Sequence, residues 1–73
     1  MSLITRLKAG QEVHEGKTYL LILEEWFVPD WTFQQKFIGT PTDASVKAVQ
    51  FEIDGEKRWF PKKAIRKVEE VSQ

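Results

Sequence analysis

Asp54-Gly55 stands between two runs of alternating apolar residues, and no other feature restricts the fold of this chain so tightly. A two-residue hairpin of type I′ needs positive φ at both central positions, and Asp-Gly is one of the pairs that tolerates it. The turn sets a register in which Ile53 faces Glu56, Glu52 faces Lys57, Gln50 faces Trp59 and Val49 faces Phe60. Side chains opposite each other share a face of the sheet. Phe60 is therefore expected in the core with Val49, Phe51 and Ile53. Trp59 is expected on the other face, beside Gln50, Glu52 and Lys57, and at least half exposed.

The remaining segments read as further short strands. Leu3, Thr5 and Leu7 alternate with Ile4, Arg6 and Lys8 before an Ala9-Gly10 turn. His14-Glu15-Gly16 is a second turn signal. Lys17 to Glu25 is the most apolar stretch, and its continuous run predicts a central strand. Val28-Pro29-Asp30 breaks it. Trp31, Phe33, Gln35 and Phe37 then alternate with polar residues, which predicts a half-buried strand. Gly39-Thr40-Pro41-Thr42-Asp43 reads as a connector, and Val46 to Ile53 as the strand that enters the Asp-Gly hairpin. Pro61 lacks an amide hydrogen and ends the strand after it. A tight helical turn over Lys62 to Ile65 and a last strand from Arg66 to about Glu70 follow. The competing expectation is a short C-terminal helix from Pro61, since Ala64, Ile65, Val68 and Val71 also fit helical spacing.

With 73 residues the chain is expected to form one domain, residues 1–73, with a small core. It has no cysteine and one histidine, so disulfides, thiolate metal sites and histidine-rich metal sites are excluded, and no cofactor is expected. Burial then falls to three Trp, five Phe and one Tyr, each worth about 150–250 Å² of covered surface. No run approaches the roughly 20 apolar residues that span a bilayer, and no secretory signal is visible, so a cytoplasmic location is expected.

Five short strands joined by tight turns predict an all-β, five-stranded small barrel. Phe60-Pro61-Lys62-Lys63-Ala64-Ile65-Arg66-Lys67-Val68 resembles the final segment of SH3 domains, where an aromatic and a proline lead through one 3₁₀ turn into the last strand. The resemblance covers about an eighth of the chain and implies an SH3-like barrel; an OB-like barrel is the alternative. The opening Ala-Leu-Tyr-Asp-Tyr motif of that family is missing. Ala64 stands where peptide-binding members carry tyrosine, so proline-rich peptide binding is not implied. The Trp59-Phe60-Pro61-Lys62 stretch after the hairpin also resembles small barrel proteins of phage and mobile elements.

Net charge is zero, which argues against a general nucleic-acid coat. The charge is polarised, however. Residues 1–56 hold five Lys/Arg against nine Asp/Glu, and residues 57–73 hold six against two. Lys57, Arg58, Lys62, Lys63, Arg66 and Lys67 flank Trp59, a combination suited to single-stranded DNA or RNA: cations track phosphates while an aromatic face stacks a base. Trp31 or Trp26 could assist that stacking. The alternative is a protein-interaction module built on Trp26, Phe27 and Trp31, which lie among Glu24, Glu25 and Asp30; those acids repel a phosphate backbone. Self-association belongs to the same alternative. Catalysis is not expected. Glu24 and Glu25 are neighbours on a strand and point to opposite faces, no nucleophile motif surrounds the serines, and the glycines are isolated.

Overall fold

Asp54 and Gly55 turn with φ of 53° and 82°, and the hairpin they close has the register the sequence predicts. Ile53 pairs with Glu56, Glu52 with Lys57, Gln50 with Trp59 and Val49 with Phe60. The structure, a computed structural model, describes residues 2–71. These form seven strands: β1 (Leu3–Arg6), β2 (Glu12–His14), β3 (Tyr19–Leu23), β4 (Lys36–Ala44), β5 (Ala48–Ile53), β6 (Glu56–Pro61) and β7 (Ile65–Glu70). All pairings are antiparallel. β1 and β2 form a two-stranded sheet, and the other five run in the order β6-β5-β4-β3-β7. Among the described residues there is no α-helix, and no helix long and apolar enough to cross a membrane.

The core lies where these alternations converge. Val49, Phe51 and Ile53 of β5 meet Phe60 of β6, Tyr19, Leu21 and Leu23 of β3, Phe37 of β4 and Ile65 of β7. Leu7, just after β1, and Val13 of β2 cover it. Phe60 touches Phe51 and Phe37 at ring-centroid distances of 6.3 and 5.9 Å. Tyr19 brings a polar tip into this cluster, and its hydroxyl accepts the His14 backbone N–H at 2.9 Å. Buried aromatics of this kind need such a partner.

Several expectations need correction. The described residues form seven strands rather than five, and among them no hydrogen-bonded pairing joins the edge strands β6 and β7, so the sheets do not close into a barrel. The second strand is shorter than expected, Tyr19–Leu23, but it is central, paired with β4 on one side and β7 on the other. The alternation from Trp31 to Phe37 is not a strand, since β4 begins only at Lys36. Trp31 instead folds onto Phe37 and Phe60, at 5.1 and 6.3 Å. The Gln35 amide donates to the carbonyls of Glu24, Glu25 and Phe27 at 2.9, 3.2 and 2.9 Å. One side chain thus closes the loop across its own base, taking up carbonyls that no strand partner satisfies.

Gly39 to Asp43 is not a connector either; it lies inside β4. The first half of β4 pairs with β3, up to Tyr19–Gly39, and the second half with β5, from Thr40–Glu52 onward. At the changeover the chains approach so closely that a Cβ on Gly39 would stand 2.8 Å from the Glu52 carbonyl oxygen. Pro41 is tolerated because the register slips between Pro41 and Asp43, a bulge at which the ladder is interrupted.

Beyond Pro61 the strand alternative holds and the helix does not form. One 3₁₀ turn over Lys62–Ala64 leads into β7. The turn is tied at both ends: the Lys62 N–H donates to the Lys47 carbonyl at 2.8 Å and the Glu24 N–H to the Ala64 carbonyl at 2.8 Å. Ala64 and Ile65 are fully buried beneath it.

Candidate nucleic-acid interface

β6 distributes its residues by simple alternation. Phe60 faces the core, and Arg58 lies on the same side, opposite Phe51. Lys57, Trp59 and Pro61 face outward, opposite Glu52, Gln50 and Ala48. Trp59 is 49% exposed while its neighbour Phe60 is fully buried, so the two adjacent aromatics have different surroundings. Gln50 beside Trp59 is fixed, since its side-chain oxygen accepts the Thr42 hydroxyl at 2.9 Å. From Lys57 through Trp59 to Pro61 the outward row spans about 13 Å.

The row ends at a lysine group. The Lys62–Lys47 backbone hydrogen bond sets the β4–β5 turn against the 3₁₀ turn, and Lys47, Pro61, Lys62 and Lys63 line a shallow cavity of about 460 Å³. Among the described residues no carboxylate forms an ion pair with Lys47, Lys57, Lys62 or Lys63. Glu24, brought near by its bond to Ala64, is held by Lys8, whose Nζ also donates to the Lys63 carbonyl at 2.7 Å. Lys47 was not among the candidates read from the sequence. Extending the hairpin register two residues past Val49–Phe60 places it opposite Lys62.

Of the other basic candidates, Arg58 and Lys67 form ion pairs, whereas Arg66 has no carboxylate partner among the described residues. Arg58 pairs with Glu56 and lays its guanidinium 4.3 Å from the centre of the Trp31 ring, a cation–π contact at the sheet edge. Lys67 pairs with Glu69 at 2.7 Å on β7, the opposite edge strand. That hydrogen bond and the Lys67 charge, with a smaller contribution from Lys36, hold the Glu69 carboxyl below the usual glutamate range. Arg66 is exposed near the start of β7, two residues beyond the 3₁₀ turn, and its backbone carbonyl accepts the Gln11 amide at 3.3 Å. The Gln11 side-chain oxygen also accepts the Val68 N–H at 2.9 Å, so one amide occupies part of the β7 edge as a neighbouring strand would.

The aromatic loop reaches the same edge as Trp59. Phe27, Pro29, Asp30 and Trp31 line a cleft of about 290 Å³ with Trp59 and Phe60. Within the loop, Trp31 and Phe27 are half-buried and packed against the core, whereas Trp26 is 62% exposed and meets Phe27 edge-on at 6.0 Å. The two aromatic clusters therefore adjoin at β6. Val28 and Phe33, exposed by 53% and 94%, are further apolar loop residues that the sequence pattern did not mark. Phe33 even stood on the expected buried face. An aromatic surface flanked by unpaired ammonium groups can stack a planar ring and neutralise anions along one line. In comparisons with protein-family models, curated proteins and solved structures, this chain matches none.

Proposed function

We propose that this chain is a small non-catalytic module that binds single-stranded DNA or RNA along the outward face of β6. The observation that carries the proposal is the position of Trp59, half exposed between Lys57 and the Lys47, Lys62 and Lys63 group. Trp59 stacks a base, the lysines neutralise phosphates, and the cleft beside Trp31 receives a neighbouring base. Arg58 supports this surface by covering Trp31, Lys67 is held by Glu69, and Arg66 stands on β7 just beyond the 3₁₀ turn that carries Lys62 and Lys63. The SH3-like character of the fold belongs to the same proposal. It is supported by the passage from Phe60 and Pro61 through one 3₁₀ turn into the last strand. Base stacking contributes about 1–3 kcal/mol by alanine substitution, so Trp59→Ala is expected to weaken oligonucleotide binding by about 5- to 150-fold. A Trp59→Ala variant that is folded and binds as tightly as wild type refutes the assignment.

A second reading is favoured by Trp26 and Val28, exposed on a loop that also carries Glu25 and Asp30. They suit a protein partner with an apolar, basic surface. A Trp26→Ser, Val28→Ser variant that retains every partner captured by wild type counts against it.

A further inference from the structure

Resting on the single-strand reading, we infer that the cavity of Lys47, Pro61, Lys62 and Lys63 holds the terminal phosphomonoester of the bound strand. Three lysines from two separate turns line one cavity with their aliphatic stems. The Lys62 N–H to Lys47 carbonyl hydrogen bond fixes the turns against each other, and the buried Ala64 and Ile65 anchor the second turn from below. Like charges held together repel one another, and among the described residues no carboxylate pairs with any of the three.

An internal phosphodiester carries one negative charge, which three cations exceed. A monoester carries about −1.5 to −2 at neutral pH and offers three acceptor oxygens. That comes closer than a diester to balancing the three lysines and offers one acceptor oxygen for each ammonium. The cavity wall is mostly apolar, with Pro61 on the outward face of β6 two residues beyond Trp59. A terminal sugar rests on such a wall while the preceding base reaches Trp59, about 7 Å back along the strand. The cavity lies where β6 ends, so the end of the bound strand and the end of the outward row of β6 coincide.

The test compares one fluorescent oligonucleotide sequence carrying a 5′-phosphate, a 3′-phosphate or neither, at about 50 mM salt, where phosphate contacts are strongest. One of the two phosphorylated oligonucleotides is expected to bind about tenfold more tightly than the unphosphorylated one. The Lys47→Gln, Lys62→Gln, Lys63→Gln variant abolishes that difference, and Lys57→Gln weakens all three oligonucleotides while preserving it. Lowering the pH from about 7.5 to about 5.5 returns the second proton to the monoester and shrinks the preference. Equal binding of the three oligonucleotides by wild type overturns the terminal site and leaves single-strand binding standing. A preference that survives the triple substitution overturns it as well. Failure of all three to bind removes both readings together.

Discussion

Substituting Gly39 by alanine tests the packing that holds β4 against both of its neighbours. The new Cβ would lie 2.8 Å from the Glu52 carbonyl oxygen and 2.8 Å from Ile53 Cγ1. The first contact is with backbone that pairs opposite Thr40, and the second is with a buried core side chain. Neither neighbour can withdraw without disturbing the β4–β5 ladder or the core. Overpacking of this kind costs typically about 1–3 kcal/mol, and the lower unfolded-state entropy of alanine offsets about 0.4–1 kcal/mol of that. The net expectation is a loss of about 1–2 kcal/mol. At about 4–8 °C per kcal/mol for a domain of this size, the melting temperature falls by about 5–15 °C. Gly55→Ala is the informative comparison. No atom lies within 4 Å of its added Cβ, yet φ is +82°, so its penalty of about 1–2 kcal/mol is purely conformational. Urea and thermal unfolding followed by far-UV circular dichroism measure both. An unchanged or raised midpoint for Gly39→Ala refutes the close approach at the β4 changeover.

Gln35→Ala leaves the carbonyls of Glu24, Glu25 and Phe27 without their shared donor and is expected to destabilise by about 1–3 kcal/mol; faster hydrogen exchange confined to residues 24–35 checks it. Glu69 is expected to titrate below an ordinary glutamate in a carboxyl NMR titration, and Lys67→Met to return it to the ordinary range. Because its folded pKa is lowered, its contribution to stability is present above the usual glutamate pKa and is lost as pH falls through the folded value. Arg58→Ala removes the cation over Trp31; Trp31 then becomes accessible to acrylamide quenching, with a stability loss of about 0.5–2 kcal/mol.

Where one local interaction decides the conformation, the sequence was readable. Asp54-Gly55 dictated the hairpin register, and the register alone separated the buried Phe60 from the half-exposed Trp59. Pro61 likewise announced the 3₁₀ turn. The readings that failed concern competition between partners. Trp31 to Phe37 alternate as a strand would, but alternation does not reveal that the Gln35 amide claims the loop carbonyls or that Trp31 is drawn onto Phe60. Gly39 and Pro41 look like chain breakers, yet a close crossing and a bulge make both compatible with a long strand. At the site, six basic residues near Trp59 could be counted, but their pairing could not. Arg58 is engaged by Glu56 and Trp31, Lys67 by Glu69, and Lys47 enters from a distant turn.

The salt dependence of oligonucleotide affinity separates a phosphate-binding face from a merely solvated lysine edge. Four lysines on β6 and the turns at its end, Lys47, Lys57, Lys62 and Lys63, have no carboxylate partner among the described residues. Four phosphate contacts to a single strand predict a slope of log K against log salt near −3, and Lys57→Gln reduces its magnitude by about 0.7. Fluorescence anisotropy of a labelled single strand between about 50 and 200 mM salt reads both values. No binding at the lowest salt, or a slope that the lysine substitution leaves unchanged, contradicts the placement of nucleic acid on the outward face of β6.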